Sequence, residues 1–509
     1  MMIKVILLVI FFAVMVAVGI YSRKHAMSVD GFVLGGRSVG PWLTAFAYGT
    51  SYFSAVVFVG YAGQFGWKYG LASTWIGIGN AVIGSLMAWV VLGRRTKVMT
   101  QYLNSKTMPD FFGSRYGSKP LKIAASAIVF VFLVPYTASI YNGLSRLFEM
   151  AFHIPYAWCV IGMAVFTGIY VILGGYMATA INDFIQGIIM LVGIIVVIAA
   201  VLNGQGGFLE AVGKMAEIPS DVEITLGQPG AFTSIFGPDP GNLLGVVILT
   251  SLGTWGLPQM IGKFYAIKDE KSINTGTVIS TVFAIVVSGG CYFLGGFARL
   301  FDAPAIYDEA GAVVYDSIIP HMLSALPDIL IGIVVVLVLS ASMSTLASLV
   351  LTSSSTLTLD FLKDNLLKEM SEKRQVRTMQ VLVIFFIAVS VFIALDPPTF
   401  IAQLMGISWG ALAGAFLAPF LYGLYWKGTT RAGVWASFIV GVGITVVNMF
   451  MPFIESSINA GAAAMVAGLI VVPVVSLVTP KLSREKTDVI FSCYEEKVTI
   501  TKKRSLEQN

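Results

Sequence analysis

The chain has 509 residues, of which 57% are hydrophobic and only 12% are charged. Soluble domains carry roughly 25% charged residues, so this composition excludes a large soluble domain and indicates a polytopic membrane protein. The net charge of +5 does not indicate a nucleic-acid partner, because the basic residues are concentrated in particular loops.

Apolar runs long enough to cross a bilayer recur along almost the whole chain. A spanning helix needs about 20 mostly apolar residues. By this measure the sequence predicts an all-α transmembrane domain over residues 1–480, with thirteen helices embedded in lipid, and a cytoplasmic tail at 481–509. The predicted helices are 3–21, 41–64, 70–93, 123–150, 157–176, 182–203, 241–262, 273–298, 328–360, 379–396, 401–426, 432–453 and 460–479.

The distribution of basic residues predicts how the chain is oriented. Alternate loops and the tail hold 27 of the 32 Lys and Arg. Because cytoplasmic loops are enriched in Lys and Arg, these segments predict a cytoplasmic C-terminus. An odd number of helices then places the N-terminus outside, in the inner (plasma) membrane of a bacterium. The basic segments are 22–40, 94–122, 263–272, 363–378, 427–431 and 481–509.

The second and seventh predicted helices are both interrupted. Residues 47–54 bring glycine and polar side chains into the second, and residues 250–258 bring two glycines and a proline into the seventh. Proline removes a backbone donor and glycine weakens a helix, so both segments are expected to break. Since the two lie five helices apart, the sequence predicts inverted five-helix repeats at about 41–203 and 241–426, with a transport site at the midplane. The alternative is that these glycines only permit close packing.

Asp183 is the acidic residue near the start of the sixth predicted helix. It is either a point on the exit path of a cation or a charge favoured by the helix dipole. The residues alone leave both interpretations open.

The ninth predicted helix carries a cluster of hydroxyls at membrane depth, from Ser340 to Ser348. Ser344 and Thr345 follow Ala341 by three and four residues, so both hydroxyls share the face of the Ala341 carbonyl. Together with the carbonyls freed near Thr50 to Phe53, they offer five hard oxygens, which suits Na⁺. Alternatively, the hydroxyls bond back to the preceding turn or serve as small packing residues.

The charge of such a site bears on the solute. No Asp or Glu occurs in the core of the second, seventh or ninth predicted helix, so bound Na⁺ would leave the site positive and favour a carboxylate. The chain has no P-loop pattern, and so few polar residues form no nucleophile–base set, which argues against ATP use and against an enzyme. A transporter-like membrane sensor and a passive channel remain as alternatives.

Four segments, in this order and spacing, resemble the sodium/solute symporter family. The resemblance implies the leucine-transporter fold and Na⁺-coupled uptake of a small organic solute by alternating access, without an obligate protein partner. It also implies a Na⁺ site formed by the carbonyls of Thr50, Phe53 and Ala341 and the hydroxyls of Ser344 and Thr345. Asp183 and Ser348 would form a second cation site or a release path. The segments are Gly35–Trp42, Met108–Tyr116, Gly174–Gln186 and Met343–Leu346.

Within that family the chain resembles the sodium/proline and sodium/pantothenate symporters. Tyr52 stands where proline carriers have an aspartate, and Thr250 and Thr254 stand where they have an aromatic pair, which favours the pantothenate branch. Ala347 stands where some members have a further hydroxyl, which argues against a second Na⁺. The expected solutes are pantothenate, proline or another amino acid, or a monocarboxylate. The resemblance suggests a solute site lined by Tyr52, Ser54, Tyr136, Thr250, Thr254, Trp255 and Pro258.

Overall fold

A computed structural model of the chain describes residues 2–364, 366, 367 and 369–494. Every named element in this part is helical, and residues 495–509 of the predicted tail lie outside it. In chain order the main helices are α1 Lys4–Ala26, α2 Pro41–Tyr52, α3 Val56–Tyr102, α4 Met108–Tyr116, α5 Lys119–Phe152, α6 Tyr156–Gly204, α7 Phe208–Glu217, α8 Pro240–Ala266, α9 Glu270–Gly295, α10 Tyr315–Ser324, α11 Asp328–Lys363, α12 Glu372–Leu395, α13 Ile401–Tyr425, α14 Arg431–Phe450, α15 Ser457–Val478 and α16 Arg484–Phe491.

Eleven helical stretches in the described residues are long and apolar enough to cross a membrane, against the thirteen helices expected. The chain is therefore an all-α, multi-pass membrane protein, but the number thirteen is not confirmed. The difference arises in α3 and α6, which run over 47 and 49 residues without an intervening loop. At 1.5 Å per residue each stretch is roughly 70 Å long, more than twice the thickness of a hydrocarbon core of about 30 Å.

Both of these long stretches are interrupted at a glycine. Gly70 in α3 has φ 59° and ψ −140°, and Gly175 in α6 has φ 53° and ψ −146°. Residues with a side chain are strained at such angles. A Cβ would also lie 2.2 Å from the carbonyl oxygen of Phe232 at Gly70, and 2.9 Å from that of Phe32 at Gly175. Gly70 begins the third predicted helix, and Gly175 lies at the end of the fifth.

Polar side chains cap the apolar helices at their N-termini. Asp239 accepts a hydrogen bond from the N–H of Asn242 at the start of α8, and Asp269 accepts one from Ser272 at the start of α9. Thr430 does the same for α14 by accepting from the N–H of Gly433. These caps satisfy backbone donors that the first turn of a helix leaves free.

The centre of the bundle is formed by α8, α11 and α13. In the most apolar 18-residue segment of each helix, 72% of the residues are buried in α8, 78% in α11 and 89% in α13, compared with 22% in α1 and 33% in α12. Helix α11 packs against α1, α5 and α6, so its hydroxyl-rich middle is enclosed on several sides. Because lipid offers hydroxyls no partners, this central position lets the Ser and Thr side chains of α11 face other protein segments.

Candidate ion and solute site

The helix that begins at Pro41 is interrupted where it meets α11. Tyr52 ends α2, Phe53 is extended with φ −96° and ψ 122°, and α3 begins at Val56. The N–H of Ala55 lies between the two helices and donates to Ser342 Oγ on α11 at 3.1 Å. The interruption therefore lies at the C-terminal end of the segment expected from the sequence, where a side chain of α11 can satisfy a freed backbone donor.

The carbonyls exposed by this interruption converge on one hydroxyl of α11. Thr345 Oγ1 lies 3.2 Å from the carbonyl oxygen of Thr50, 3.3 Å from that of Phe53 and 3.0 Å from that of Ala341. A threonine hydroxyl has a single hydrogen and can donate to only one of these three carbonyls at a time. The remaining carbonyl lone pairs are thus directed at a common point without a donor from this side chain.

Ser344 extends the same cluster. Its hydroxyl donates to Thr50 Oγ1 at 2.7 Å, and Thr50 Oγ1 in turn reaches the carbonyl of Phe46 at 2.8 Å. The side chains of Thr50, Ser344 and Thr345 are fully buried. The structure thus brings together all five residues that the sequence singled out for Na⁺.

The donor set fits a Na⁺ ion. Its members are neutral carbonyl and hydroxyl oxygens, the ligand type that hard cations prefer. Neighbouring ligands of Ca²⁺, an ion of similar radius with bonds of 2.3–2.6 Å, lie about 3.3–3.7 Å apart in octahedral geometry. The separations of 3.0–3.3 Å around Thr345 Oγ1 need only a small expansion. No group of three or more His, Cys, Asp or Glu in the described part of the chain could hold a metal ion.

The packing interpretation of these hydroxyls accounts for part of the geometry. The contact from Thr345 to the Ala341 carbonyl is the bond to the preceding turn that this interpretation expects. It does not account for the carbonyls of Thr50 and Phe53, which lie at and just beyond the end of α2 and are 3.2 Å and 3.3 Å from Thr345 Oγ1. The hydroxyl therefore serves a junction between two helices as well as its own helix.

Helix α8 is interrupted within the segment expected from the sequence. A turn of different geometry occupies Gly253–Trp255, Leu257 is extended, and Pro258 begins the second half-helix. A Cβ on Gly253 would lie 2.7 Å from the ring of Trp409. Glycine at this position therefore lets the interruption pack directly against α13.

The residues predicted to bind the solute differ in how their polar atoms are bonded. The hydroxyl of Tyr52 donates to the Thr250 carbonyl at 2.8 Å and so joins the two interrupted helices. Thr254 Oγ1 and Trp255 Nε1, in contrast, bond to the carbonyls of Gly84 and Ile83 on α3, at 3.1 Å and 3.0 Å. Those two side chains are engaged in contacts between helices.

Of the other predicted solute residues, two are hydrogen-bonded within their own segment and one lines a cavity. Thr250 Oγ1 bonds back to Val246 at 2.9 Å, and Ser54 Oγ accepts from the N–H of Val56 at 3.2 Å. Pro258 lines a small cavity described below. Tyr136 differs from them because its buried hydroxyl has no hydrogen-bond partner among the described residues.

An aromatic group around Tyr136 includes a residue that sequence reasoning missed. The ring of Trp409 on α13 lies 5.6 Å from that of Tyr52 and 5.9 Å from that of Tyr136. Trp409 Nε1 and the hydroxyls of Tyr61 and Tyr292 are also buried without a hydrogen-bond partner in the described residues. Leaving a buried polar group unpaired costs roughly 1–3 kcal/mol, so several such groups suggest a site for a polar solute. In the sequence, Trp409 is marked only by its position between two glycines, Gly406 and Gly410.

Asp183 and Ser348 lie beside Lys263, which the sequence places in a basic loop. Lys263 belongs to the second half of α8, and its Nζ donates to Ser348 Oγ at 3.0 Å and lies 3.8 Å from Asp183 Oδ2. Ser348 Oγ is also 2.8 Å from Ser51 Oγ on α2. The sequence predicted that this helix ends at residue 262, but the structure extends it to Ala266. Lys263 therefore lies in the second half-helix, where it is buried, and not in a loop.

Two cavities in the described part of the chain have charged lining residues, and neither is lined by the five residues of the ion cluster. One, of about 650 Å³, is lined by Gln64, Lys68 and Asp239 among others. The other, of about 40 Å³, is lined by Thr107, Pro258, Lys263 and Ser348 among others. The side chains of Thr50 and Thr345 are themselves fully buried.

Comparisons with known proteins identify the family of this chain. The model of the sodium:solute symporter family matches residues 32–441, which is most of the chain. The chain belongs to the sodium:solute symporter family. A sodium/proline symporter of Staphylococcus aureus is 30% identical to it over 500 residues, covering 94% of this chain and 93% of the relative.

Two solved structures are similar to the chain in fold. A Na⁺-coupled sialic acid symporter in a substrate-bound, outward-open state superposes with a TM-score of 0.76 at 14% identity, covering 95% of this chain and 99% of that one. A manganese transporter of Eremococcus coleocola gives a TM-score of 0.50 at 12% identity over 86% and 94% of the two chains. At these identities the likeness concerns the fold alone.

Proposed function

We propose that this symporter-family member carries a small organic solute bearing a carboxylate into the cell together with Na⁺, by alternating access. The observation that carries the proposal is the convergence of the Thr50, Phe53 and Ala341 carbonyls on Thr345 Oγ1, next to Ser344. A Na⁺ bound at this point could be coordinated by all three carbonyls at once, whereas the single hydrogen of the Thr345 hydroxyl can bond to only one of them.

The position of this cluster suggests how Na⁺ affects solute binding. The Phe53 carbonyl reaches the cluster only because the chain is extended there. Na⁺ bound to that carbonyl would hold the interruption between α2 and α3 in place, and with it Tyr52 and Ser54. Solute affinity is therefore expected to rise with Na⁺, since a ligand that favours one conformation stabilises it.

The solute is proposed to bind between Tyr52, Tyr136 and Trp409. These side chains are neutral, so a bound Na⁺ would leave a positive charge near the solute and favour a carboxylate. The similarity to a sodium/proline symporter supports an amino acid. Pantothenate and short monocarboxylates present the same charged group and remain within the proposal.

We also propose thirteen crossings within a transmembrane domain of residues 1–480. Helix α2 and the part of α3 before Gly70 would form one crossing and the rest of α3 the next, and α6 would cross twice with a direction change at Gly175. The inverted repeats would then be about 41–203 and 241–426. The basic loops support the plasma membrane as location, with the N-terminus outside and the C-terminus in the cytoplasm.

On release, Na⁺ would leave towards the 40 Å³ cavity, past Asp183 and Ser348. The energetics suffice for one Na⁺. One charge crossing about 100 mV supplies about 2.3 kcal/mol, and a tenfold Na⁺ gradient adds about 1.4 kcal/mol. The sum sustains a solute ratio of several hundred.

Uptake into proteoliposomes tests the proposal. Radiolabelled proline, pantothenate, a short monocarboxylate and a neutral sugar are each supplied with an inward gradient of Na⁺ or of K⁺. We expect one carboxylate to accumulate above equilibrium with Na⁺ only, and this accumulation to be lost in the Ser344→Ala/Thr345→Ala double variant. Uptake that only equilibrates, or that ignores Na⁺, contradicts symport and indicates a channel, and accumulation of the sugar alone contradicts the carboxylate assignment.

A further inference from the structure

Lys263 places a side-chain cation beside Asp183 and Ser348, the two residues that the family resemblance assigns to a second cation site or a release path. It lies in the second turn of the half-helix Pro258–Ala266 and is 3% exposed. Its Nζ lies 3.8 Å from Asp183 Oδ2. Asp183 is fully buried, and its carboxylate interacts with the side chains of Lys263 and Ser344. The ammonium therefore balances the charge of this carboxylate.

The groups around Nζ are those that would ligate a hard cation. Ser348 Oγ accepts a hydrogen bond from Nζ at 3.0 Å, and Ser51 Oγ lies 2.8 Å from Ser348 Oγ. Carboxylate and hydroxyl oxygens from α2, α6 and α11 thus converge, as they would around Na⁺. The ring of Tyr176 covers the ammonium, with its centroid 5.2 Å from Nζ.

We infer that the Lys263 ammonium is a tethered cation that fills the second cation position, so that each solute is coupled to one Na⁺. This inference rests on the proposed function, because it concerns the number of ions in the proposed symport. It assigns Asp183 and Ser348 to an internal ion pair rather than to a second Na⁺.

The charge balance around α11 supports this assignment. Ser348 follows Ser344 by one helical turn, so Lys263 lies close to the proposed Na⁺ at Thr345. With Lys263 and one Na⁺ present, Asp183 is the carboxylate within this group. A second Na⁺ would add a third positive charge in a buried region where like charges are poorly screened. Ala347 also offers no side-chain oxygen as a further ligand.

A purely structural ion pair is the competing explanation. Removing one member of a buried pair destabilises a protein whatever the function of the pair, so loss of stability does not separate the two explanations. The number of Na⁺ ions does separate them. A tethered cation keeps a second Na⁺ out, so removing the Lys263 charge alone should add one bound Na⁺. A structural pair leaves the number of bound Na⁺ unchanged.

The test counts Na⁺ in the full-length protein by two independent measurements. The first is equilibrium binding of ²²Na⁺ to purified protein in detergent. The second is solute accumulation in proteoliposomes under a tenfold Na⁺ gradient with the voltage clamped to zero, where one Na⁺ supports at most tenfold and two support up to a hundredfold accumulation. The variants are Lys263→Met, the control Lys263→Arg, which keeps the charge, and the charge-free double variant Asp183→Asn/Lys263→Met.

We expect one bound Na⁺ for the wild type, for Lys263→Arg and for the double variant, and tenfold accumulation for the wild type and for Lys263→Arg. Lys263→Met exposes Asp183, Ser348 and Ser51 to a free ion, so we expect two bound Na⁺ and a Hill coefficient above 1. Two Na⁺ in the wild type, or one in Lys263→Met, would overturn the inference.

Lys263→Gln, which keeps a hydrogen-bond donor for Ser348 but removes the charge, replaces Lys263→Met if that variant is not recovered in folded form, and the same count of two is expected for it. A wild-type count of two that falls to one in the double variant assigns Asp183 to a true Na⁺ site and overturns the inference. A wild type that binds no Na⁺ contradicts the proposed function instead, so the two failures are distinguishable.

Discussion

Thr345 Oγ1 lies 3.2 Å from the carbonyl oxygen of Thr50, although 295 residues separate the two in the chain. This contact joins the hydroxyl-rich middle of α11 to the interruption after α2. It connects the chemistry of the α11 side chains to backbone that only an interrupted helix can offer.

Thr345→Ala removes the hydroxyl on which the three carbonyls converge. We expect Na⁺ affinity to fall at least tenfold, about 1.4 kcal/mol, because one ligand is lost from a small set. Thr345→Ser should stay within a few-fold of the wild type. The matched control is Ser353→Ala, which removes a buried hydroxyl without a partner among the described residues of the same helix. The measurement is solute uptake as a function of Na⁺ concentration, and equal loss in the control would contradict the prediction.

Tyr136→Phe removes a buried hydroxyl that has no hydrogen-bond partner in the described residues. Removing an unpaired polar group should leave thermal stability without solute unchanged or slightly raised. If that hydroxyl binds the solute, the solute KM should rise roughly fivefold, since one hydrogen bond contributes about 1 kcal/mol.

Tyr116→Phe is the control for this prediction, because its hydroxyl donates to the Pro419 carbonyl at 2.7 Å. We expect it to lose about 1 kcal/mol of stability with no change in KM. A KM for Tyr136→Phe equal to that of the wild type would place the solute elsewhere.

Asp316 predicts a pH dependence of stability. It lies in α10, outside the membrane-spanning stretches, and its Oδ2 accepts the N–H of Ile401 at the start of α13 at 3.2 Å. Burial raises the pKa of this carboxyl from 3.8 to about 6. The folded state therefore holds its proton where the unfolded state has lost it. The free energy of unfolding should fall by about 3 kcal/mol as pH rises from about 4 to above 6.

Asp316→Asn keeps an acceptor for the Ile401 N–H but cannot ionise. Thermal unfolding of both proteins in detergent between pH 4 and 7.5 gives the comparison. The wild type should lose more stability than the variant over this range, and parallel pH profiles would show that Asp316 does not titrate there.

Gly175→Ala tests the interruption of α6. The backbone angles at this residue favour glycine, and a Cβ would lie 2.9 Å from the Phe32 carbonyl oxygen. We expect a loss of about 1–3 kcal/mol in unfolding free energy. Gly162→Ala in the same helix has open space around the new Cβ and should be neutral or stabilising. Thermal unfolding of the two variants checks this, and equal stabilities would contradict it.

Several features of the fold and site could be predicted from the sequence because they depend on local pattern. Apolar runs identified the membrane helices, and the Gly and Pro residues identified the interruption of α8 at Gly253–Leu257. The spacing of Ala341, Ser344 and Thr345 placed their oxygens on one helix face, and the structure brings that face to Thr50 and Phe53. The number of separate helices was not recoverable in this way, because α3 and α6 continue on both sides of Gly70 and Gly175.

The sequence by itself determined that this protein lies in a membrane, and it singled out the oxygens of one ion cluster, because hydropathy and helical periodicity act over a few turns. Only the tertiary structure decided which distant groups meet these oxygens. Lys263 reaches Asp183, 80 residues earlier, and Trp409 reaches Tyr52 and Tyr136, because separate helices are packed side by side. Such contacts depend on helix packing and on how each half-helix is rotated, which no local pattern of residues encodes.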